Sequence, residues 1–327
     1  MEREADFQQK TSQDQDATTA PLPPQVRKTV HERVAAFYKK KYKLLLAIPI
    51  LLLVLSLAQI FFQYATTGDF VNKGVALTGG IGVEIQTSTY TDILALKQQL
   101  EQRFAGEEID IRIVTQAGQQ KSFIVEASKN ILPLDLQQAI RETVSRTDPA
   151  VQEQEFRVQE ISGEFAQDFF RTTLIALVVA FILMAIVVSI YFKRFIPSVA
   201  VVLAAFSDIV ITVAVFNLLG LRLAPGGIAA LLMLIGYSVD TDILLTTRTI
   251  KEKVGSVDDR IIGASKTGML MTLTTIAAVV VGYFFSQADI LKQIMTVLFI
   301  GLIADIINTW LQNAAILRWY LERRGEA

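Results

Sequence analysis

Four aspartates, Asp208, Asp240, Asp242 and Asp305, each lie inside a stretch apolar enough to sit in a membrane. A carboxylate in hydrocarbon is costly and marks a functional site by default. Desolvation disfavours the charged form of a carboxyl group, which equips such a group to take up and release a proton. Acids at one depth on neighbouring spans are what a proton pathway requires. The competing reading is a set of neutral, hydrogen-bonded acids that hold the helices in register. Counting about 1.5 Å per residue from the basic residues at the cytoplasmic edge puts Asp208, Asp240 and Asp305 roughly 12 to 21 Å deep. That is near the midplane of a ~30 Å hydrocarbon core.

The neighbours of each acid follow the helical period. Asp305 shares a face with Gly301, Asn308 and Gln312, and Asp208 with Ala204, Ala205 and Thr212. Thr267, Thr274 and Thr275 offer hydroxyls in a further span, and Ser56, Gln59 and Gln63 in the first. Small and polar residues of this kind are ordinary interhelical contacts. In "IGYSVDTDILLTTR", Ile235 to Arg248, Asp240 falls on the Gly236 side and Asp242 with Ser238 and Thr246. At about 100° per residue the two acids point some 160° apart. A continuous helix cannot aim both into one cavity. Either one faces a partner protein, or the helix breaks near Gly236 and lines a wet crevice. Arg248 reads as a snorkelling edge residue with enough reach to pair with an acid.

The elements that position these residues are legible in the hydropathy. The 327 residues are 52% hydrophobic, with a mean hydropathy of +0.42. That average points to several membrane spans. Six stretches meet the ~20-residue requirement: 44–64, 172–192, 196–217, 227–247, 267–286 and 291–317. Lys and Arg cluster before the first span, after the second (Lys193, Arg194), after the fourth (Arg248, Lys251, Lys253, Arg260) and after the sixth (Arg318, Arg323, Arg324). This asymmetry predicts cytoplasmic termini and an extracytoplasmic segment at 65–168. The expected domains are a disordered cytoplasmic tail (1–26), a basic flank with the first span (27–64), the external domain (65–168), and spans two to six with a cytoplasmic C-terminus (169–327). Within 65–168 the alternation and helical periods run βαββαβ, with strands at 81–87, around 109–113, 122–127 and 155–161. Between them lie helices led by Ile93 and by Leu136, and Thr91 is the expected cap of the first. That order predicts a ferredoxin-like α+β module.

Other chemistry is excluded by composition. The chain has no cysteine and a single histidine, His31, so thiolate and histidine-rich metal sites are ruled out. There is no Gly-rich phosphate loop of the P-loop pattern. A net charge of −1 gives no sign of a nucleic-acid partner. No metal or cofactor is expected.

The stretches "FSDIVITVAVFNLLGL" and "APGGIAALLMLIGYSVDTDILLTTR" resemble the third and fourth spans of the SecF family, subunits of the Sec protein translocase, in its archaeal form. The resemblance extends over about residues 40 to 320. It implies one six-helix half of a resistance–nodulation–division (RND)-like fold and assistance to protein export. Implied partners are SecD, the Sec protein-conducting channel, a translocating polypeptide and the lipid of the cell membrane. It also implies a non-enzymatic role driven by the proton gradient. In bacterial relatives the span-four motif is Tyr-Ser-(Leu/Ile)-Asn-Asp, with the acid implicated in proton use. Here Tyr237 and Ser238 match, Asp240 takes the Asn position, Thr241 the Asp position, and Asp242 follows. The functional acid is therefore Asp240 or Asp242, supported by Gly236, Tyr237, Ser238, Thr274, Thr275 and Asn308. Arg248 and Lys266 are the candidate cations. At the entry to the external domain Gly74, Gly79 and Gly80 fit the family pattern Gly-x-Asp-Phe-x-Gly-Gly, while Ala76 and Leu77 replace its Asp and Phe. Two other readings compete. One is a stand-alone RND-type exporter, although these tend to carry both repeats on one chain. The other is an intramembrane aspartyl protease, whose Tyr-Asp and Gly-x-Gly-Asp patterns differ from "FSD" and "SVD" here.

Overall fold

In lipid, an apolar segment satisfies its backbone by becoming helical. Among the described residues six helices are long and apolar enough to cross a membrane: Lys41–Thr67, Gly163–Phe192, Phe195–Leu218, Pro225–Ile250, Val257–Phe285 and Ile290–Arg323. The computed structural model describes residues 41–86, 92–116, 119–145, 156–252, 255–286 and 288–325. The expected tail, the basic flank up to residue 40 and Thr91 lie outside these. In chain order the elements are α1 (Ala47–Thr67), α2 (Val75–Thr78), β1 (Gly80–Gln86), α3 (Ile93–Arg103), β2 (Ile109–Gln116), β3 (Gln119–Ser128), α4 (Pro133–Val144) and β4 (Arg157–Ile161). The remaining helices are α5 (Gly163–Phe192), α6 (Phe195–Leu218), α7 (Pro225–Ile250), α8 (Val257–Phe285), α9 (Asp289–Ile307) and α10 (Ala314–Arg323). A π-helical turn, Asn308–Asn313, joins the last two into one long span.

Local chemistry sets the ends. Gly68 closes α1 in the left-handed conformation (φ 79°), which glycine adopts without a Cβ penalty. Asp92 caps α3 by accepting from the backbone N–H groups of Leu94 and Ala95. Ser256 and Asp259 form a reciprocal capping box at the start of α8. Helix α5 begins at Gly163, well before its apolar run, so the membrane helix grows directly out of the inserted unit.

The inserted unit folds as the alternating pattern predicts. Its antiparallel sheet has the order β2-β3-β1-β4, with Ile81, Val83 and Ile85 of β1 opposite Ala127, Val125 and Phe123 of β3. Leu96, Leu100, Leu136, Ala139 and Ile140 of the two helices close over that face to form an apolar core. Gly80 has a specific reason to be glycine: a Cβ there would stand 2.3 Å from the Ala127 carbonyl oxygen.

Among the membrane helices α6 and α7 form the centre. In their apolar stretches 61% and 56% of residues are buried, against 6% in α5, which leaves α5 on the periphery. A short parallel bridge, Lys73 with Leu223, ties the inserted unit to the α6–α7 loop. Gly74 N donates to Leu223 O (2.8 Å) and Leu223 N to Asn72 O (2.7 Å). Asn217, in the last turn of α6, accepts from Asn72 N (3.0 Å) and donates to Phe70 O (3.0 Å). Arg222 pairs with Glu108 across the same junction (2.9 Å). At the other end of the bundle Arg318 of α10 pairs with Asp258 of α8, and Tyr42 donates to Glu322.

Candidate functional site

Helices α6, α7 and the π-turn meet around a polar centre that is fully enclosed. Asp208, Ser238, Asp242, Asp305, Asn308, Thr309 and Asn313 are all 0% exposed. Ala204 and Ala205, one turn before Asp208, are buried too and leave room for close helix approach. Asp208 accepts from the Ser238 hydroxyl on α7 and from Asn308 Nδ2 (2.7 Å). Asp242 Oδ1 accepts from Asn313 Nδ2 (2.7 Å) and lies 3.0 Å from Thr309 Oγ1. That same Thr309 oxygen is 3.0 Å from Asp305 Oδ1. Gln312 reaches Ser207 beside Asp208 (3.3 Å).

The π-turn is what permits this arrangement. A regular α-helix rotates about 100° per residue, so Asn308 and Thr309, or Gln312 and Asn313, would diverge. Widening the turn brings all four onto the inner side, and such turns recur at functional sites. Asp242 Oδ2, Asp305 Oδ2, Asn308 Oδ1, Asn313 Oδ1 and Thr246 Oγ1 have no hydrogen-bond partner among the described residues. The centre thus leaves four carbonyl or carboxylate oxygens and the Thr246 hydroxyl without partners among the described residues. No group of three or more His, Cys, Asp or Glu side chains among the described residues could hold a metal ion.

The description "Protein export membrane protein SecD/SecF, C-terminal" belongs to the family model that matches residues 139–323. The chain belongs to the SecD/SecF protein-export family. It is 40% identical to a protein-export membrane protein SecF of Methanolacinia petrolearia, over 87% of this chain and 95% of that one. A SecF of Methanocaldococcus jannaschii is also 40% identical, over 86% of this chain and 96% of the relative. In fold the chain resembles SecDF, a translocon-associated membrane protein from Thermus thermophilus, with a TM-score of 0.66 and 18% identity. The likeness covers 93% of this chain but only 40% of that one, so this SecF-family chain spans less than half of the SecDF polypeptide.

The residues singled out in the sequence divide into two sets. Asp208, Asp242, Asp305, Ser238 and Asn308 come together in the centre. Asp240 does not. Helix α7 runs unbroken through Gly236, so the wet crevice from a helix break is not formed, and Asp240 lies exposed on the opposite face. Met233, Gly236 and Tyr237 share that outward face, and a Cβ at Gly236 would meet nothing within 4 Å. Thr274 and Thr275 also stay outside the centre; both donate to the Met271 carbonyl of their own helix. Their hydroxyls satisfy the nearest backbone oxygen because α8 turns that side away. Arg248 sits half-buried in the last turn of α7 and Lys266 is exposed on α8, and neither is among the hydrogen-bond partners that hold Asp208, Asp242 and Asp305. Sequence reasoning missed Thr309 and Asn313. The available signal was the repeated polar doublet, Asn308–Thr309 then Gln312–Asn313, which a 3.6 period assigns to diverging faces.

Proposed function

We propose that this chain assists protein export across the cell membrane as the SecF half of a SecD–SecF pair, using protons exchanged at the buried carboxyls. The observation that carries the reading is the enclosed centre itself. Asp208, Asp242 and Asp305 stand on three different helices and are joined by side chains that donate between them. Adding or removing one proton there changes which interhelical hydrogen bonds exist. Helices α6 and α7 carry that change to the loop between them, which is bonded directly to the inserted unit through Leu223, Asn217 and Arg222. Movement of the unit against an emerging polypeptide is the output.

Asp240 has a separate place in this reading. An acid on the outer face of an apolar helix is costly in lipid. SecDF extends beyond the 40% of its length that this chain matches, which supports SecD as the neighbour that Asp240, Gly236 and Tyr237 face. The Lys and Arg distribution supports cytoplasmic termini and an extracytoplasmic position for residues 65–168.

The test is export of a Sec substrate, with and without a proton gradient, by complexes carrying Asp242→Asn, Asp305→Asn, Asp208→Asn or Asp240→Asn. Loss of gradient-dependent export in the first three supports the reading, and unchanged export in all of them overturns it. Orientation is read separately. Because the chain lacks cysteine, a single Lys129→Cys on the inserted unit should react with an impermeant maleimide from outside. Arg324→Cys should react only after permeabilisation.

A further inference from the structure

Thr309 occupies a position that a purely structural hydroxyl does not explain. Its Oγ1 lies 3.0 Å from Asp242 Oδ1 and 3.0 Å from Asp305 Oδ1. A hydroxyl has one hydrogen to donate and two lone pairs that accept. It can donate to only one of the two carboxyls. The second contact becomes a hydrogen bond only when the other carboxyl carries a proton and donates it to Thr309 Oγ1. Two bare carboxylates would leave one oxygen set against the hydroxyl's lone pairs in a site fully closed to water, a costly arrangement. The amide of Asn313 also donates to Asp242 Oδ1, at 2.7 Å. A resting state with the charge on Asp242 and the proton on Asp305 satisfies all of these contacts.

We infer that the Thr309 hydroxyl is a proton shuttle between Asp305 on the last span and Asp242 on α7. The inference rests on the reading that these acids exchange protons. In the step, the proton on Asp305 Oδ1 passes to Thr309 Oγ1 while the hydroxyl's own proton passes to Asp242 Oδ1. Two O–H bonds break and two form. The negative charge moves from Asp242 to Asp305, and no other reactant takes part. Rotation of the hydroxyl then resets the relay. The charge thereby changes helix without a proton leaving the enclosed centre, and Asn313 loses its charged acceptor as it does so. Asp305 and Thr309 are four residues apart, the spacing that sets two side chains on one helix face, and Thr309 lies in the π-turn that follows.

The experiment reconstitutes the complete SecD–SecF complex in vesicles and follows proton movement with a pH-sensitive dye under an imposed gradient. Thr309→Val keeps the shape and removes the hydroxyl; Thr309→Ser keeps the hydroxyl. T309V should slow proton movement on the order of 100-fold, the scale of a lost proton-transfer group, and T309S should remain near wild type. Wild-type movement in T309V alongside a block in D305N overturns the shuttle and leaves proton use by the acids intact. Equal slowing in T309V and T309S also overturns it, because the role would then be one of packing. Wild-type movement in D305N and D242N as well removes the underlying reading. Infrared spectra of the wild-type complex give a second measure that needs no folded T309V. A protonated-carboxyl band at neutral pH that disappears in D305N supports the resting state, and absence of any such band overturns it.

Discussion

The inserted α+β unit and the membrane bundle solve opposite problems with the same chain. In the unit, Phe123, Val125, Leu136 and Ile140 belong to an apolar core, the arrangement water imposes. In the bundle, Asp208, Asp242, Asp305, Asn308 and Thr309 are inside, and large apolar residues such as Phe61, Ile190 and Phe284 are exposed around it. Lipid tails are as apolar as leucine, so apolar burial does not drive the helices together there; hydrogen bonds and close packing do. The bundle can therefore place ionisable groups at its centre, whereas the unit cannot do so without destroying its core. In the unit the interior supplies stability. In the bundle the polar interior is the proposed seat of function.

That contrast is open to direct attack. Truncating the unit's core should have the largest effect on folding: Phe123→Ala should cost about 3–5 kcal/mol, measured as a lowered unfolding midpoint or early proteolysis of the unit. Asp242→Asn and Asp305→Asn should instead leave unfolding nearly unchanged. Their effect is on gradient-driven export, reduced by about 100-fold as for a lost proton-transfer group. A destabilised fold with normal export in either variant would reverse the comparison. Asn308→Ala removes a donor to Asp208 and should cost only about 0.6–2 kcal/mol, the scale of interhelical hydrogen bonds in membranes. A loss as large as that of Phe123→Ala would show that the polar centre holds the bundle after all.

The junction between the regions gives the smallest effect, and it is one of pH. Burial pushes the Glu108 carboxyl above the ordinary glutamate range, against the opposing pull of Arg222. A raised folded-state value means that the folded protein holds this proton more tightly than the unfolded chain. The contribution of Glu108 is then fully present below the ordinary glutamate value and is lost as pH rises through the raised one. Glu108→Gln should flatten that part of the thermal-midpoint profile, and an unchanged slope would assign the pH dependence elsewhere.

Much of this architecture follows from local rules that survive without tertiary information. Alternation at Ile81, Val83 and Ile85, and helical spacing at Leu136, Ala139, Ile140 and Val144, were sufficient for βαββαβ because each strand or helix face had one place to go. Hydropathy located the six spans for the same reason: in lipid a long apolar segment has no alternative to a helix. The divergence of Asp240 and Asp242 was also legible, since it needs only 100° per residue.

Which of those two acids is enclosed was settled only by packing. The two faces of α7 are equally helical, and it is the approach of α6 and the last span that buries Asp242 and leaves Asp240 outside. The π-turn was likewise invisible to a 3.6 period. The sequence alone determined the elements, their order and the presence of ionisable groups within the spans, because those depend on neighbours along the chain. Tertiary structure decided which groups meet, because Asp208, Ser238, Asp242 and Thr309 come from three helices and their contacts depend on how those helices are rotated against one another.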